Sequence, residues 1–379
     1  MWNNITGQEN AIEKLKSAYK NGKVAHAYLF YGNEGTGKDA AAIEFAKLIN
    51  CTNVQNGDEA CDKCENCIKT SGFKSEYFHF ICALPAGKAE LTDSDPIEKL
   101  ASSDFEAYME QIRIKSKNPY YRINIPNANN IRINSIRDLI NKSYLSTSRN
   151  FKKIFIVSEA DKMKQEAANA LLKILEEPPK NSVLILTTSK INTLPQTVIG
   201  RCQSIHFVPL DENLIKEKLI STEEIKSSYS IDEITLASKL GFGSYSRAIE
   251  LLEMGITEIR DNAIKFLISI LSNKYSDIVN IIRSTATRNN KVKIKYFLFY
   301  LNIWFRDLLK VKYSREGEAS EIANFDIKNR LDRFLSNYPN TDIFSIIMIL
   351  EESEKYITQN VQLQLILLNL SFKLKKLIS

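Results

Sequence analysis

Two clusters in this chain combine residue types and spacings that can do chemistry. The first runs Gly32, Asn33, Glu34, Gly35, Thr36, Gly37, Lys38 and then Asp39. Glycines at this spacing let successive backbone N–H groups turn toward one phosphate cluster, and the lysine adds a charge at the β- and γ-phosphates. A hydroxyl normally closes the motif and ligates Mg²⁺; here that position is a carboxylate. At an effective dielectric of 20, like unit charges about 4 Å apart repel by about 4 kcal/mol, so Asp39 opposes ATP unless a cation lies between them. The acidic residue that would hold such a cation belongs at the end of the next apolar strand, Ile154-Phe155-Ile156-Val157, which runs into Ser158-Glu159 in place of Asp-Glu. Glu159 keeps a carboxylate able to polarise water, but the Mg²⁺ ligand is missing. Asp39 and Ser158 also exchange a carboxylate and a hydroxyl between the two Mg²⁺ positions. Simple loss is nevertheless the expectation, with weak or absent binding of ATP and Mg²⁺ and negligible hydrolysis by this chain alone.

The second cluster is Cys51, Cys61, Cys64 and Cys67, whose last three members form two successive Cys-x-x-Cys steps. Two residues between ligands let a tight turn aim both sulfurs at one ion about 2.3 Å away, and four thiolates close a tetrahedron around structural Zn²⁺. The polar filler, including Asn56-Gly57-Asp58, has no core of its own, so a metal is expected to order it. Free thiols, disulfides and an iron–sulfur cluster are the competing readings. Cys82 and Cys202 stand apart and read as small buried residues.

Both clusters need elements to position them. Ala27-Tyr28-Leu29-Phe30-Tyr31 reads as a buried parallel strand, and Ala40 to Asn50 as a helix, which puts the glycine-rich loop between strand and helix. Val183 to Leu186 and Ile205 to Val208 are further apolar strands. The helix through Asn169 to Glu177 is closed by Pro178-Pro179. Residues 73 to 130 hold Pro85, Pro96, Pro119 and Pro126, a helical piece from Ile97 to Ile114 and the pair Tyr120-Tyr121. They read as an insertion whose residues 86 to 118 the α/β core does not require, a solvated and partly mobile loop. From Ile259 onward the pattern is helical throughout. The 379 residues, 25% of them charged, suit two or three packed domains, and 51 basic against 45 acidic side chains permit nucleic-acid contact without arguing for it. No apolar run approaches the ~20 residues needed to span a bilayer, so a cytoplasmic protein without a membrane partner is expected.

The opening Ile5-Thr6-Gly7-Gln8, the entry His26-Ala27-Tyr28-Leu29-Phe30, the four cysteines, the run Leu171 to Pro179 and Gly200-Arg201-Cys202 together resemble the clamp-loader family of the AAA+ class. The resemblance implies an α/β AAA+ domain over 1-208 carrying a zinc module at 51-67 and the insertion at about 73-130, a helical lid over 209-256 and an all-α collar over 257-379. The departures at Asp39 and Ser158 are similar to the delta-prime branch of the family, the stator of bacterial DNA polymerase III, whose own nucleotide site is degenerate. Its implied partners are gamma/tau-like and delta-like subunits in a hetero-oligomeric ring, with the sliding clamp and primed DNA met through the complex. Arg201 inherits by position the arginine finger offered in trans to a neighbour's ATP, although Gly200 stands where the family has Ser. Thr187 or Thr188 matches the γ-phosphate sensor, and Ser246 occupies the lid arginine position, with Arg247 one residue late. The competing reading is an ATP-hydrolysing gamma/tau-like motor that tolerates Asp39.

Overall fold

A computed structural model describes residues 2, 5–85, 95–145, 151–286, 291–313, 322–359 and 361–378. The chain divides into two compact units, one comprising Met1–Ser227 with Gly241–Ala248, the other Ser228–Leu240 with Ile249–Ser379. Parts of the 209-256 segment therefore fall in each unit.

The first unit is built on a parallel sheet. Strands β1 (Ala27–Gly32), β2 (Phe78–Ile81), β3 (Lys153–Val157), β4 (Ser182–Thr188) and β5 (Gln203–Phe207) lie in the order β2-β3-β4-β1-β5. Central strands β3 and β4 are buried at every position. That burial on both faces is why they read as unbroken apolar runs and not as alternating ones. Helices α1 (Glu9–Lys20), α2 (Lys38–Ile49), α3 (Glu65–Ser71), α4 (Ser102–Lys117), α5 (Ile133–Tyr144), α6 (Gln165–Glu176), α7 (Gln196–Ile199), α8 (Glu212–Ser221) and α9 (Glu223–Ser228) connect and flank the strands. The main core joins Leu29, Phe155, Val157 and Leu184 of the sheet to Ile136 and Leu139 of α5 and Leu171 and Leu175 of α6. This is the P-loop α/β arrangement, with the glycine-rich loop leaving β1 for α2.

The supposed insertion is part of this architecture. Within it β2 pairs in parallel with β3, Phe78 opposite Ile154 and Ile81 opposite Val157. Tyr108 and Ile112 of α4 pack with Cys82, Leu84, Leu100 and Ile125 in a second core cluster. The prolines misled the reading: all four lie in connections, outside the strand and the helix. Residues 86 to 94 of the segment lie outside the described residues.

The second unit is helical: α10 (Ile231–Leu240), the end of α11 (Tyr245–Glu253), α12 (Ile256–Leu271), α13 (Tyr275–Thr285), α14 (Lys291–Tyr313), α15 (Lys328–Asn337), α16 (Ile343–Thr358) and α17 (Leu363–Leu377). Helix α14 buries Phe297, Leu301, Trp304 and Phe305. Asp307 on the same helix is 2% exposed. Its carboxylate accepts hydrogen bonds from the backbone N–H groups of Ala323 (3.1 Å) and Asn324 (2.8 Å) and from Asn324 Nδ2 (2.7 Å), so the charge is buried only where donors satisfy it. Among the described residues, no helix is long and apolar enough to cross a membrane.

Candidate functional site

The glycine-rich loop adopts conformations that its glycines make possible, with φ of +73° at Gly35 and +91° at Gly37. Thr36, fully buried, donates to the Asn33 carbonyl at 2.9 Å. The Lys38 ammonium, which an active loop would aim at a phosphate, donates to the carbonyls of Gly32 (2.8 Å) and Asn33 (2.5 Å) of its own loop. Burial lowers its pKa to about 8, against the opposing pull of Asp39 and Glu34.

Asp39 sits in the first turn of α2, where the helix dipole favours an anion. Parallel strands bring their carboxyl ends to the same edge, so Ser158, just after β3, and Thr187, near the end of β4, reach the same carboxylate. Thr187 Oγ1 donates to Asp39 Oδ1 at 2.7 Å and Ser158 Oγ donates to Oδ2 at 2.8 Å. The third partner is Lys115, whose Nζ lies 2.9 Å from Oδ2 and whose side chain is 1% exposed. At an effective dielectric of 20 this separation corresponds to about 6 kcal/mol of gross attraction, against which stands the desolvation of both ions. Burial pushes the Asp39 carboxyl upward, but the Lys115 charge and the hydrogen bonds from Lys115, Thr187 and Ser158 outweigh it and hold it below the usual carboxylate range.

Glu159, in the left-handed region at φ 53°, is also taken. Its Oε1 accepts from Arg122 Nε (2.9 Å) and Nη2 (2.6 Å), and its Oε2 pairs with Lys162 at 2.6 Å. Arg122 pairs with Glu34 of the loop as well. Tyr120, 8% exposed, places its ring against Gly37, where an added Cβ would meet it at 3.0 Å, and its hydroxyl accepts from the Thr6 N–H at 3.1 Å. Tyr120 also packs edge-on against Tyr245, with centroids 5.0 Å apart. The aromatic pair singled out in the sequence as a loose surface is thus, at Tyr120, a buried lid on the loop. About 70 Å³ of free space remains above the loop, well under the ~300 Å³ at which ligand pockets begin. Ser246, Thr188 and Ser189 line that space. Thr188 itself donates to Asp161 at 2.7 Å. The residues present do not fit Mg²⁺, because every donor aimed at Asp39 is a hydroxyl hydrogen or an ammonium.

The four cysteines converge as their spacing requires, with all four Sγ atoms within 4.8 Å of one another. Tetrahedral Zn–S bonds of ~2.3 Å imply S···S separations of about 3.8 Å, and Cys61 Sγ and Cys67 Sγ stand 4.0 Å apart. The N–H groups of Cys61 and Cys64 point at Cys51 Sγ and Cys61 Sγ, each at 3.3 Å, which favours thiolates there. Cys67 lies inside α3 and Cys64 precedes its first turn. Buried Lys47 of α2, paired with Glu44 (2.5 Å) and with Asp62 (2.6 Å), ties the module to the helix that follows the loop. The group can hold a metal ion, and its donors suit zinc.

Arg201 lies just after α7 and is 38% exposed. Its Nη2 pairs with Glu176 at 2.8 Å and its Nη1 donates to the Thr197 carbonyl at 2.9 Å, so the guanidinium lies along the surface at the end of α6.

A family model described as DNA polymerase III, delta subunit, matches residues 7–211, more than half of the 379 residues. The chain belongs to this clamp-loader family. It is 29% identical over 256 residues to DNA polymerase III subunit tau of Bacillus subtilis, covering 67% of this chain and 37% of that one. To DNA polymerase III subunit delta' of the same organism it is 29% identical over 216 residues, covering 57% of this chain and 52% of that one. To subunit tau/gamma of Haemophilus influenzae it is 27% identical over 279 residues, 72% of this chain and 34% of that one. The chain thus spans about a third to a half of the length of these relatives. In this member of the family, sequence reasoning gave Lys115 and Arg122 no part in the site and read Tyr120 as part of a solvated loop. The charge of Asp39 is the signal that could have found the first of them, since a buried carboxylate demands a cationic partner.

Proposed function

We propose that this chain is a delta-prime-like stator of a DNA polymerase III clamp loader, a cytoplasmic ring component that helps place the sliding clamp on primed DNA. It supplies Arg201 in trans to a neighbour's ATP and does not turn over nucleotide itself. The carrying observation is the state of its own loop: Asp39 is neutralised by Lys115, and Glu159 is held by Arg122 and Lys162. Neither of these two carboxylates is left open to hold Mg²⁺ or to orient water. Arg201, by contrast, is exposed, and it is held by a surface pair with Glu176, worth at most about 1 kcal/mol, and by a hydrogen bond to the Thr197 carbonyl. A guanidinium is always charged and offers a rigid fork to the γ-phosphate oxygens. The helical unit would serve as the collar that joins gamma/tau-like and delta-like partners, with 209-256 as the lid, and the four thiols would hold structural Zn²⁺.

Arg201→Ala in a reconstituted complex tests the role. Arginine fingers supply ~10³–10⁵ in rate. Only one site in the ring would face this arginine, so whole-complex ATPase falls modestly, clamp loading falls more, and assembly is unchanged. Unchanged loading would reject the trans role. The similarity to tau and gamma relatives keeps a second reading, a hydrolysing motor, in play. Turnover of ~1 s⁻¹ or more by the isolated chain would establish it.

A further inference from the structure

A divalent ion at a phosphate-binding loop needs near-octahedral oxygen ligands at about 2.0–2.1 Å. Here the oxygens that would supply them are already engaged: Asp39 Oδ1 by Thr187, and Oδ2 by both Ser158 and Lys115. We propose that Lys115 is the resident cation of this loop, its ammonium standing where the metal would stand, and that residues 115–122 form an internal plug excluding Mg²⁺–nucleotide. An ammonium has three hydrogens to donate. Those of Lys115 go to Asp39 at 2.9 Å, to the Tyr121 carbonyl at 2.7 Å and to the Pro119 carbonyl at 3.3 Å. The cation is therefore fully satisfied by this chain, and its side chain is 1% exposed. From the same stretch, Tyr120 covers Gly37 and Arg122 bridges Glu34 and Glu159. Entry of a nucleotide would require all three side chains to leave together. The change at Asp39 and the position of Lys115 are thus two halves of one device: a serine in place of Asp39 would leave the buried ammonium without its counter-ion, while Asp39 without Lys115 would again need a metal.

This deepens the reading that the chain's own site is silent, and its test uses the isolated 379-residue chain, so it can fail while the Arg201 role stands, and the reverse. Melting temperatures would be compared for wild type, Asp39→Asn, Lys115→Met and the double variant, each with and without millimolar MgCl₂. Lys115→Met melts lower and regains part of the loss with MgCl₂. The wild type and the double variant do not respond to MgCl₂, and the double variant melts above Lys115→Met. A wild type that MgCl₂ stabilises as much as Lys115→Met, or a Lys115→Met variant indifferent to MgCl₂, would overturn the proposal. If Lys115→Met does not fold, amine acetylation of the wild type read by mass spectrometry decides. Lys115 then stays unmodified while surface lysines react, at least tenfold slower, with or without Mg²⁺–ATP. Rapid labelling, or labelling that ATP accelerates or suppresses, would count against the plug.

Discussion

Asp39 changes its meaning once its neighbours are known. Alone it repels phosphate; held between two hydroxyls and an ammonium it becomes the structural centre of the loop. The glycines around it are likewise bound to particular neighbours. Gly35 is in the left-handed region, and a Cβ there would run into the Ser244 and Ser246 hydroxyl groups. Gly35→Ala should therefore combine a conformational cost of ~1–2 kcal/mol with a steric one and lower stability by roughly 2 kcal/mol or more in urea melts. A loss below about 0.5 kcal/mol would mean that the loop relaxes freely.

Edge strand β2 and helix α4 are where sequence and structure part. His79 of β2 stacks on Phe155 of β3, with ring centroids 4.9 Å apart. Burial, then the charges of Lys142 and Lys153, lower its pKa to about 4. Because the folded pKa is depressed, the unfolded chain takes up the proton first. The stability contribution of His79 is complete above its ordinary value of about 6.5 and is lost as pH falls toward 4. The effect is at most about 3 kcal/mol. Urea melts from pH 7 to 4 should show His79→Phe losing less stability than wild type over that window; coincident curves would exclude His79 as a source. Replacing Ser102–Lys117 by a short linker should lower stability by several kcal/mol or abolish soluble protein, since burying Tyr108 and Ile112 contributes ~2 kcal/mol each and Asp39 would lose Lys115. A stable, soluble deletion would restore the reading of this segment as an add-on.

For the whole molecule, the division into two units predicts separable behaviour. If the thiols hold zinc, elemental analysis of protein purified without chelators gives one zinc per chain. Cys64→Ser should then raise amide exchange over residues 51 to 71, while leaving protection in α12, α14 and α16 unchanged. Loss of protection in those helices would mean that the two units unfold as one. The module's ties run to α2 through Lys47 and Asp62, and to α1 through Lys20 and Asp58 (2.7 Å), all inside the first unit.

The amino-acid sequence by itself determined the pieces whose signal is local. Apolar runs marked β1, β3, β4 and β5, glycine spacing marked the loop, and thiol spacing marked a ligand set, because each depends on contacts within a few residues along the chain. It also marked Asp39 as a carboxylate that opposes a phosphate unless a cation serves as counter-ion between them. The identity of that counter-ion was decided only by tertiary structure. The chain offers many lysines, and Lys115 reaches Asp39 because β2 joins the edge of the sheet and α4 packs on the Cys82 and Leu84 cluster beside it. The short strand and its four neighbouring prolines gave no periodic signal strong enough to reveal that placement. Charge neutralisation in a buried site acts through space over a few ångströms, between residues that chain order does not relate, so only the folded molecule could say which cation the loop holds.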